Sequence, residues 1–204
     1  MSKDHFLVKA KQYESSYKRI QNVTNIANTI KNSIQFSEDM ELLDFGSGTG
    51  LLLERIAPLV QGITAIDISE SMLAQLIAKK DALACQLYTL KLDLECNDIN
   101  QQFDGIISSM TMHHIKDVPG MLKKFFAMLR PEGFIAIADI DTEDGSFHDE
   151  DTGVHHHGFN RDWIMQQAKI AGFERLKIET ASEVNKPQGD YSVFLLTGCR
   201  TLVA

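Results

Sequence analysis

From Met40 onward, short apolar runs alternate with longer stretches in which apolar and polar positions recur at helical spacing. Met40–Phe45, Ile63–Asp67, Leu87–Leu92, Phe103–Ser109 and Phe134–Ile140 are short, largely apolar runs of strand length and read as strands. Between them, Gly50–Leu59, Glu70–Leu83 and Val118–Leu129 have the length and periodicity of helices. Alternation of this kind predicts βαβ units and a parallel sheet covered on both faces. Two helical segments are expected upstream, across Asp4–Asn32. After the fifth strand the pattern changes. Asp139–Gly158 is polar, acidic and rich in histidine, and too long for an ordinary connector. Asn160–Ala171 reads as another helix, with Gly172 at its C′ position. Lys177–Ala181 and Ser192–Thr197 read as the last two strands.

The fold class expected is therefore α/β, a Rossmann-like doubly wound sheet. At 204 residues the chain fits one domain with a full core. A hydrophobic content of 44% and a charged content of 24% are ordinary for a soluble globular protein. The formal net charge of -8 argues against a nucleic-acid partner, because phosphates are repelled. Cys85, Cys96 and Cys199 show no Cys-x-x-Cys spacing and read as reduced thiols of a cytoplasmic protein. No apolar run reaches the roughly 20 residues of a membrane span, and none follows Met1–His5 as a secretory signal requires.

The candidate chemistry is concentrated in Glu41-Leu-Leu-Asp44-Phe-Gly46-Ser-Gly48-Thr-Gly50. An apolar strand ends in an acid, then turns through three glycines spaced two apart and enters an amphipathic stretch. Glycines at such a turn let backbone come close to a ligand. Asp67 ends the next strand, about 20 residues on, where open α/β sheets grip a ribose. The pair points to a nucleoside-type cofactor. A dinucleotide fingerprint fails, because the position that requires Gly or Ala is Leu51 in one register and Leu53 in the other. No Walker Gly-Lys-Ser/Thr follows. Asp44 disfavours a pyrophosphate and favours a cation.

These residues resemble the class I S-adenosylmethionine (SAM)-dependent methyltransferases, in their small stand-alone form, from about Tyr13 to Arg200. Leu42–Gly50 matches the glycine-rich first motif of that family and Ile66–Met72 its second. Leu92-Asp93-Leu94 stands at the third, Phe103–Met110 followed by Thr111–Ile115 at the fourth, and Leu129–Ile137 at the fifth. One departure is Glu132, where the usual turn reads Pro-Gly-Gly. The resemblance implies a seven-stranded mixed sheet closed by an antiparallel hairpin. It also implies one domain over 1–204, with a helical segment at 1–38, a sheet core at 39–204 and an active-site loop at 139–159. SAM is the cofactor it implies, and S-adenosylhomocysteine the product. Asp44, Gly46, Gly48 and Gly50 are expected to hold the methionine end. Asp67 is expected to accept from both ribose hydroxyls. Ile68 and Met72 are expected to flank the adenine, although core filling accounts for Met72 equally well. Asp93 is favoured over Asp98 as the acceptor for the adenine amino group, beside Leu94. Ser109 and Met110 are expected under the sulfonium. An early tyrosine, Tyr13, is expected to cover the pocket, with Tyr17 on the same helix face packing into the core. Trp163 is expected as a buried anchor.

Proton abstraction from an oxygen or nitrogen nucleophile suits histidine. His113 and His114, in the loop after the fourth strand, are the first candidates. His148, His156 and His157 are further candidate proton acceptors, expected to line the acceptor pocket, and Asp139 at the tip of the fifth strand is another candidate base. The segment Asp139–Asp151 carries seven acids and no Lys or Arg; it either attracts a cationic substrate or is solvated. Its spacing matches no zinc motif, so no metal is assigned. The expected acceptor is a small molecule, with no nucleic-acid or membrane partner, and the chain is expected to be a monomer or homodimer. Positioning alone is an alternative to a base. A non-catalytic SAM-binding module and an NAD-linked oxidoreductase are the competing functions.

Overall fold

The computed structural model describes residues 10–148 and 153–201. The start of the helical segment expected from Asp4, and the loop acids Asp149, Glu150 and Asp151, lie outside the described residues. Among the described residues no helix is long and apolar enough to cross a membrane.

A 3₁₀ turn over Ala10–Ser15 leads into α1 (Tyr17–Ser33), whose N-cap Ser16 accepts from the Arg19 N–H. The remaining elements are β1 (Glu41–Phe45), α2 (Leu51–Ile56), β2 (Gly62–Asp67), α3 (Glu70–Ile77), β3 (Gln86–Lys91), β4 (Phe103–Ser109), α4 (Val118–Met128), β5 (Leu129–Ile140), α5 (Arg161–Ala171), β6 (Glu174–Lys186) and β7 (Gly189–Cys199). Side-chain caps start three further helices: Ser69 for α3, Asp117 for α4 and Asn160 for α5. Gly172, with φ of 108°, ends α5.

The seven strands lie in the order β3-β2-β1-β4-β5-β7-β6. The first five are parallel, and β7 runs antiparallel to both β5 and β6. The seven-stranded mixed sheet of a Rossmann-like α/β fold is thus present. Side-chain alternation divides the core into two layers. Leu42, Ile63, Ala136 and Leu195 face α1, α2 and α3; Leu43, Ile66, Ile135 and Leu196 face α4 and α5. β1 and β4 are neighbours, but the crossovers leave them in opposite directions along the sheet. That is the topological switch point, where a crevice opens at the carboxyl ends of the strands.

Several boundaries differ from the sequence pattern. The helix expected to Leu83 ends at Ile77 and gives way to a 3₁₀ turn at Lys80–Ala82. β5 begins at Leu129, and Glu132 takes φ of 63° in its opening turn. The last two strands form a longer hairpin than their apolar cores suggest, because β6 continues past the sheet's hydrophobic part to Lys186. Tyr13 belongs to the 3₁₀ turn and Tyr17 to α1, so the two do not share a helix face, and Tyr17 is 75% exposed. Trp163 is also partly exposed and stacks on Phe159, with centroids 6.1 Å apart.

Candidate active site

A cavity of about 1230 Å³ opens at the switch point. This exceeds the roughly 300–1,000 Å³ typical of a pocket for one small ligand, so it has room for a cofactor and a second molecule. Its floor is the loop after β1. Gly46 and Gly48 have φ of 69° and 53°. A Cβ on Gly46 would stand 2.2 Å from the Thr111 side chain, so the missing side chain lets the loop after β4 close against the loop after β1. A Cβ on Gly48 would meet no protein atom within 4 Å. Its N–H donates to Asp67 Oδ2 at 2.8 Å, while Asp67 Oδ1 accepts from the Ser69 N–H at 2.8 Å. The tip of β2 is thereby locked to the glycine loop.

Asp44, at the end of β1, is 2% exposed, and its Oδ2 is buried without a protein partner. Burial, and after it the charge of Asp67, pushes its carboxyl up to about 8. Four more buried polar atoms of residues lining the same cavity lack a protein partner: Asn22 Oδ1, Ser47 Oγ, Thr49 Oγ1 and Ser109 Oγ. Buried polar groups are satisfied as a rule, so a lining of this kind fits a polar ligand.

The cavity wall also includes Tyr13, Ile68, Met72, Asp93, Leu94, Ser109 and Met110. Tyr13 lies under the Arg19 guanidinium, 4.0 Å from its ring centroid, and burial raises its phenol. Ile68 is 60% exposed at the rim, whereas Met72 is buried. Asp93 Oδ1 accepts from the Glu95 N–H at 2.9 Å. Asp98 points away and pairs with Lys124 at 2.9 Å. Met110 takes φ of 57°, unusual for a residue with a Cβ, and anchors this turn by donating its N–H to the Ala138 carbonyl at 2.8 Å. Gly50 departs from expectation. It is not part of the wall but precedes α2 with φ of 88°, where a Cβ would be 2.5 Å from Leu76 Cδ1. Its bare backbone serves helix packing.

The histidines divide into two groups. His113, 1% exposed, lines the cavity, and its Nδ1 donates to Asp139 Oδ1 at 2.7 Å. Asp139 also accepts from the His113 N–H at 3.2 Å and the Ile140 N–H at 2.8 Å. A carboxylate so bonded fixes the proton on Nδ1 and leaves Nε2 as the acceptor. Asp139 itself is fully buried and off the cavity, so it reaches no ligand directly; its position behind His113 corrects its place as a free strand-tip base. His114 and His148 flank His113, with ring centroids 4.3 and 5.0 Å away. Burial first, and then neighbouring His113, holds each of them down at about 4.

His156 and His157 do not line the cavity, contrary to the sequence expectation. The backbone N–H groups of His155 and His156 donate to the His113 carbonyl at 2.9 and 3.1 Å, which turns the following side chains elsewhere. His156 lies against Phe159, and His157 is exposed with Nδ1 3.5 Å from Glu143 Oε1. The loop does supply wall, through Phe147, His148, Gly153 and His155. Among the polar and charged wall residues that escaped sequence reading are Lys18, Arg19 and Asn22 on α1, and Lys186 at the end of β6. They come from elements without a motif, and only the fold brings them to the strand tips. Among the described residues no group of three His, Cys, Asp or Glu is placed to hold a metal ion.

Fold and cavity define a Rossmann-like protein with a polar-lined cavity at the switch point of its sheet. Comparison with known proteins gives the family. Residues 43–135 match the model of a methyltransferase domain. The chain is 31% identical over 187 residues to an uncharacterized methyltransferase of Schizosaccharomyces pombe, covering 82% of this chain and 62% of that one. It is 31% identical over 140 residues to the malonyl-[acyl-carrier protein] O-methyltransferase of Acetivibrio thermocellus, covering 66% of this chain and 47% of the relative. The chain thus spans less than two thirds of these relatives. Among solved structures, the complex of the Haloferax volcanii Trm112 methyltransferase activator with a methyltransferase aligns at a TM-score of 0.80 and 14% identity, over 99% of this chain and 100% of that one. The Haemonchus contortus phosphoethanolamine N-methyltransferase 2, in complex with SAM, aligns at 0.74 and 16%, over 99% and 60%. The chain belongs to the class I SAM-dependent methyltransferase family, whose cofactor is SAM.

The histidine pair carries a stability prediction. His114 and His148 have pKa values near 4 in the fold, below the ordinary 6.5. The unfolded chain therefore binds more protons between these values, and stability falls as pH drops from about 6.5 towards 4. Denaturant melts across that range should show a shallower fall for His114→Gln and His148→Gln than for the parent.

Proposed function

We propose that this chain binds SAM in the switch-point cavity and transfers its methyl group to a small-molecule acceptor. The observation that carries the reading is the set of buried polar atoms without protein partners around the glycine loop, with Asp44 at its centre. An ammonium beside Asp44 would supply the missing donor and the missing charge. Asp67, held by two backbone N–H groups, keeps acceptor capacity for a ribose diol. Ile68 and Met72 offer apolar faces for a purine, with Asp93 and Leu94 beyond them. Tyr13 closes the cavity from the N-terminal side, and Ser109 and Met110 form its wall at the end of β4. The cofactor, when bound, supplies a methyl group on a sulfonium, whose carbon–sulfur bond breaks as the acceptor's new bond forms.

His113 is the proton acceptor in this reading. The Asp139 carboxylate orients its ring and stabilises the imidazolium that forms when Nε2 takes the acceptor's proton. His114 and His148 stay neutral at neutral pH and shape a dry wall beside it. Asp139 is a positioning residue, since it touches the reacting atoms only through His113. The chain is read as one domain, with Phe147, His148, Gly153 and His155 as the outer wall of the acceptor side.

Two outcomes are expected. Calorimetry with S-adenosylhomocysteine should show Asp67→Ala binding about 1.5–3 kcal/mol more weakly. Gly48→Val should weaken binding as well, because the new side chain enters ligand space. Unchanged affinity in both would refute the cofactor site. With an acceptor in hand and the cofactor saturating, His113→Gln should lower kcat by roughly 10²–10⁴-fold and abolish the acid limb of the pH profile. Asp139→Asn should lower kcat while largely sparing KM. Full activity in both variants would leave positioning as the whole of catalysis.

A further inference from the structure

Between β3 and β4 the chain forms no helix. Residues 92–102 run as irregular backbone, whose polar groups need partners that a helix would otherwise supply. The turn that carries Asp93 and Leu94 finds them in two ways. Asp93 closes the turn on itself. Its carbonyl accepts from the Asn97 N–H at 3.1 Å and from Asn97 Nδ2 at 2.8 Å, and its Oδ1 accepts from the Glu95 N–H at 2.9 Å. Other carbonyls of the same turn face α4, where a single ammonium meets them. Lys124 Nζ donates to the Leu94 carbonyl at 2.9 Å and to the Asn97 carbonyl at 2.9 Å. It also stands 3.5 Å from the Glu95 carbonyl and pairs with Asp98 Oδ1 at 2.9 Å.

Lys124 reaches this turn because of its place on the helix. Val118, Met121, Leu122, Phe125 and Met128 make the buried face of α4. Lys124 lies three residues after Met121 and four before Met128, so it stands at the flank of that face and is half-buried, whereas Lys123 is exposed. Glu95 returns the tie. Its Oε1 accepts from the N–H groups of Lys116 and Asp117, at 3.0 and 3.1 Å, just where the loop that carries His113 enters α4. Leu94 adds an apolar anchor: it is 1% exposed and belongs to the same core layer as Phe45 and Ile66. A buried side chain, an ammonium behind two carbonyls and a carboxylate across two N–H groups thus fix the turn from three directions. The Asp93 side chain is left on the cavity wall. It also accepts from the Cys96 thiol, which raises that thiol's pKa. A carboxylate has acceptor sites beyond these two bonds.

We propose that Lys124 is a positioning residue for recognition of the adenine: by gathering the Leu94 and Asn97 carbonyls against α4, it holds the Asp93 carboxylate where it accepts from the exocyclic amino group. The proposal rests on the cofactor reading above. Lys124 does not line the cavity, so it acts only through the turn. An ammonium suits the task, because its three donors turn towards separate oxygens. Without it, part-buried carbonyls lose their donor, and the ligand's amino group meets an acceptor that is no longer fixed. Asp67, on another strand, keeps its own support from the Gly48 and Ser69 N–H groups.

The test compares S-adenosylhomocysteine with S-inosylhomocysteine, in which a ring carbonyl replaces the amino group. Calorimetry is run on the full chain as parent, Lys124→Met, Lys124→Arg and Asp98→Asn. The parent should bind S-adenosylhomocysteine roughly tenfold or more tightly than the inosyl compound. In Lys124→Met that preference should fall below about threefold, with affinity for S-inosylhomocysteine little changed. Lys124→Arg keeps several donors on a long stem and should retain most of the preference. Asp98→Asn leaves the carbonyl contacts in place and should retain all of it. A general loss of stability would weaken both ligands alike, so the ratio separates positioning from a merely structural role. Should Lys124→Met not fold, Lys124→Gln takes its place with the same expectation. A parent that does not distinguish the two ligands would overturn the proposal, as would a preference that survives in Lys124→Met or an equal loss of both ligands there. If S-adenosylhomocysteine itself does not bind the parent, the cofactor reading falls, and this proposal with it.

Discussion

Asp44 is the constraint around which the strand tips are arranged. A carboxyl that is 2% exposed, with one oxygen lacking a protein partner and a second carboxylate close enough to raise its pKa, is an unfavourable group to bury. The structure meets that cost by holding Asp67 on two backbone N–H groups and keeping Asp44 next to open cavity. Both acids sit where the parallel strands end, and the glycine turn keeps side chains out of the space between them. The positive backbone angles of Gly46, Gly48 and Met110 belong to the same arrangement, because they bend the loops after β1 and β4 around that space. A cation is the ligand that relieves it. This is the physical reason why the class I methyltransferase family fits these residues and a pyrophosphate cofactor does not.

The other side of the cavity is built by elements that carry no motif. α1 and the β6–β7 hairpin bring Lys18 and Lys186 to a wall that ends in His113. The long segment after β5 looks like an acidic lid in sequence. In the fold its described acids are consumed by Arg161, His113 and its own backbone, and what it turns towards the cavity is Phe147 and His148. Local hydrogen bonding of short acidic side chains competes with outward display of their charge.

Much of the fold was legible because continuous apolar strands and amphipathic helices alternate with little ambiguity from Met40 to Leu129. The position of Gly46, Gly48, Asp44 and Asp67 at the strand tips was legible because the signal is local: a strand, a turn and an acid at fixed spacing. Residues whose role depends on distant neighbours were misread. Gly50 belongs to the glycine run, yet its backbone is set by contact with Leu76 on α3. Asp139 was placed on the right strand, but its partner, 26 residues earlier in the chain, decides that it orients His113 instead of facing the ligand. His156 and His157 share the histidine run with His155, yet two bonds to the His113 carbonyl set the backbone there and leave their rings outside. Asn22, Lys18 and Lys186 carry no motif, and only the packing of α1 and β6 against the strand tips reveals them.

The central claim is that the cavity is built around a buried acid awaiting a cation, and a proton inventory tests it most directly. With its pKa near 8, Asp44 is mostly protonated at pH 7 in the ligand-free chain, and an ammonium placed beside it drives off that proton. Affinity should therefore rise as pH increases from about 6 to 8. Titration of S-adenosylhomocysteine at pH 7, in buffers of widely different ionisation enthalpy, should give a binding enthalpy that varies linearly with that of the buffer. The slope should correspond to release of most of one proton, and it should be lost in Asp44→Asn. A binding enthalpy independent of buffer, or the same slope in Asp44→Asn, would contradict the account.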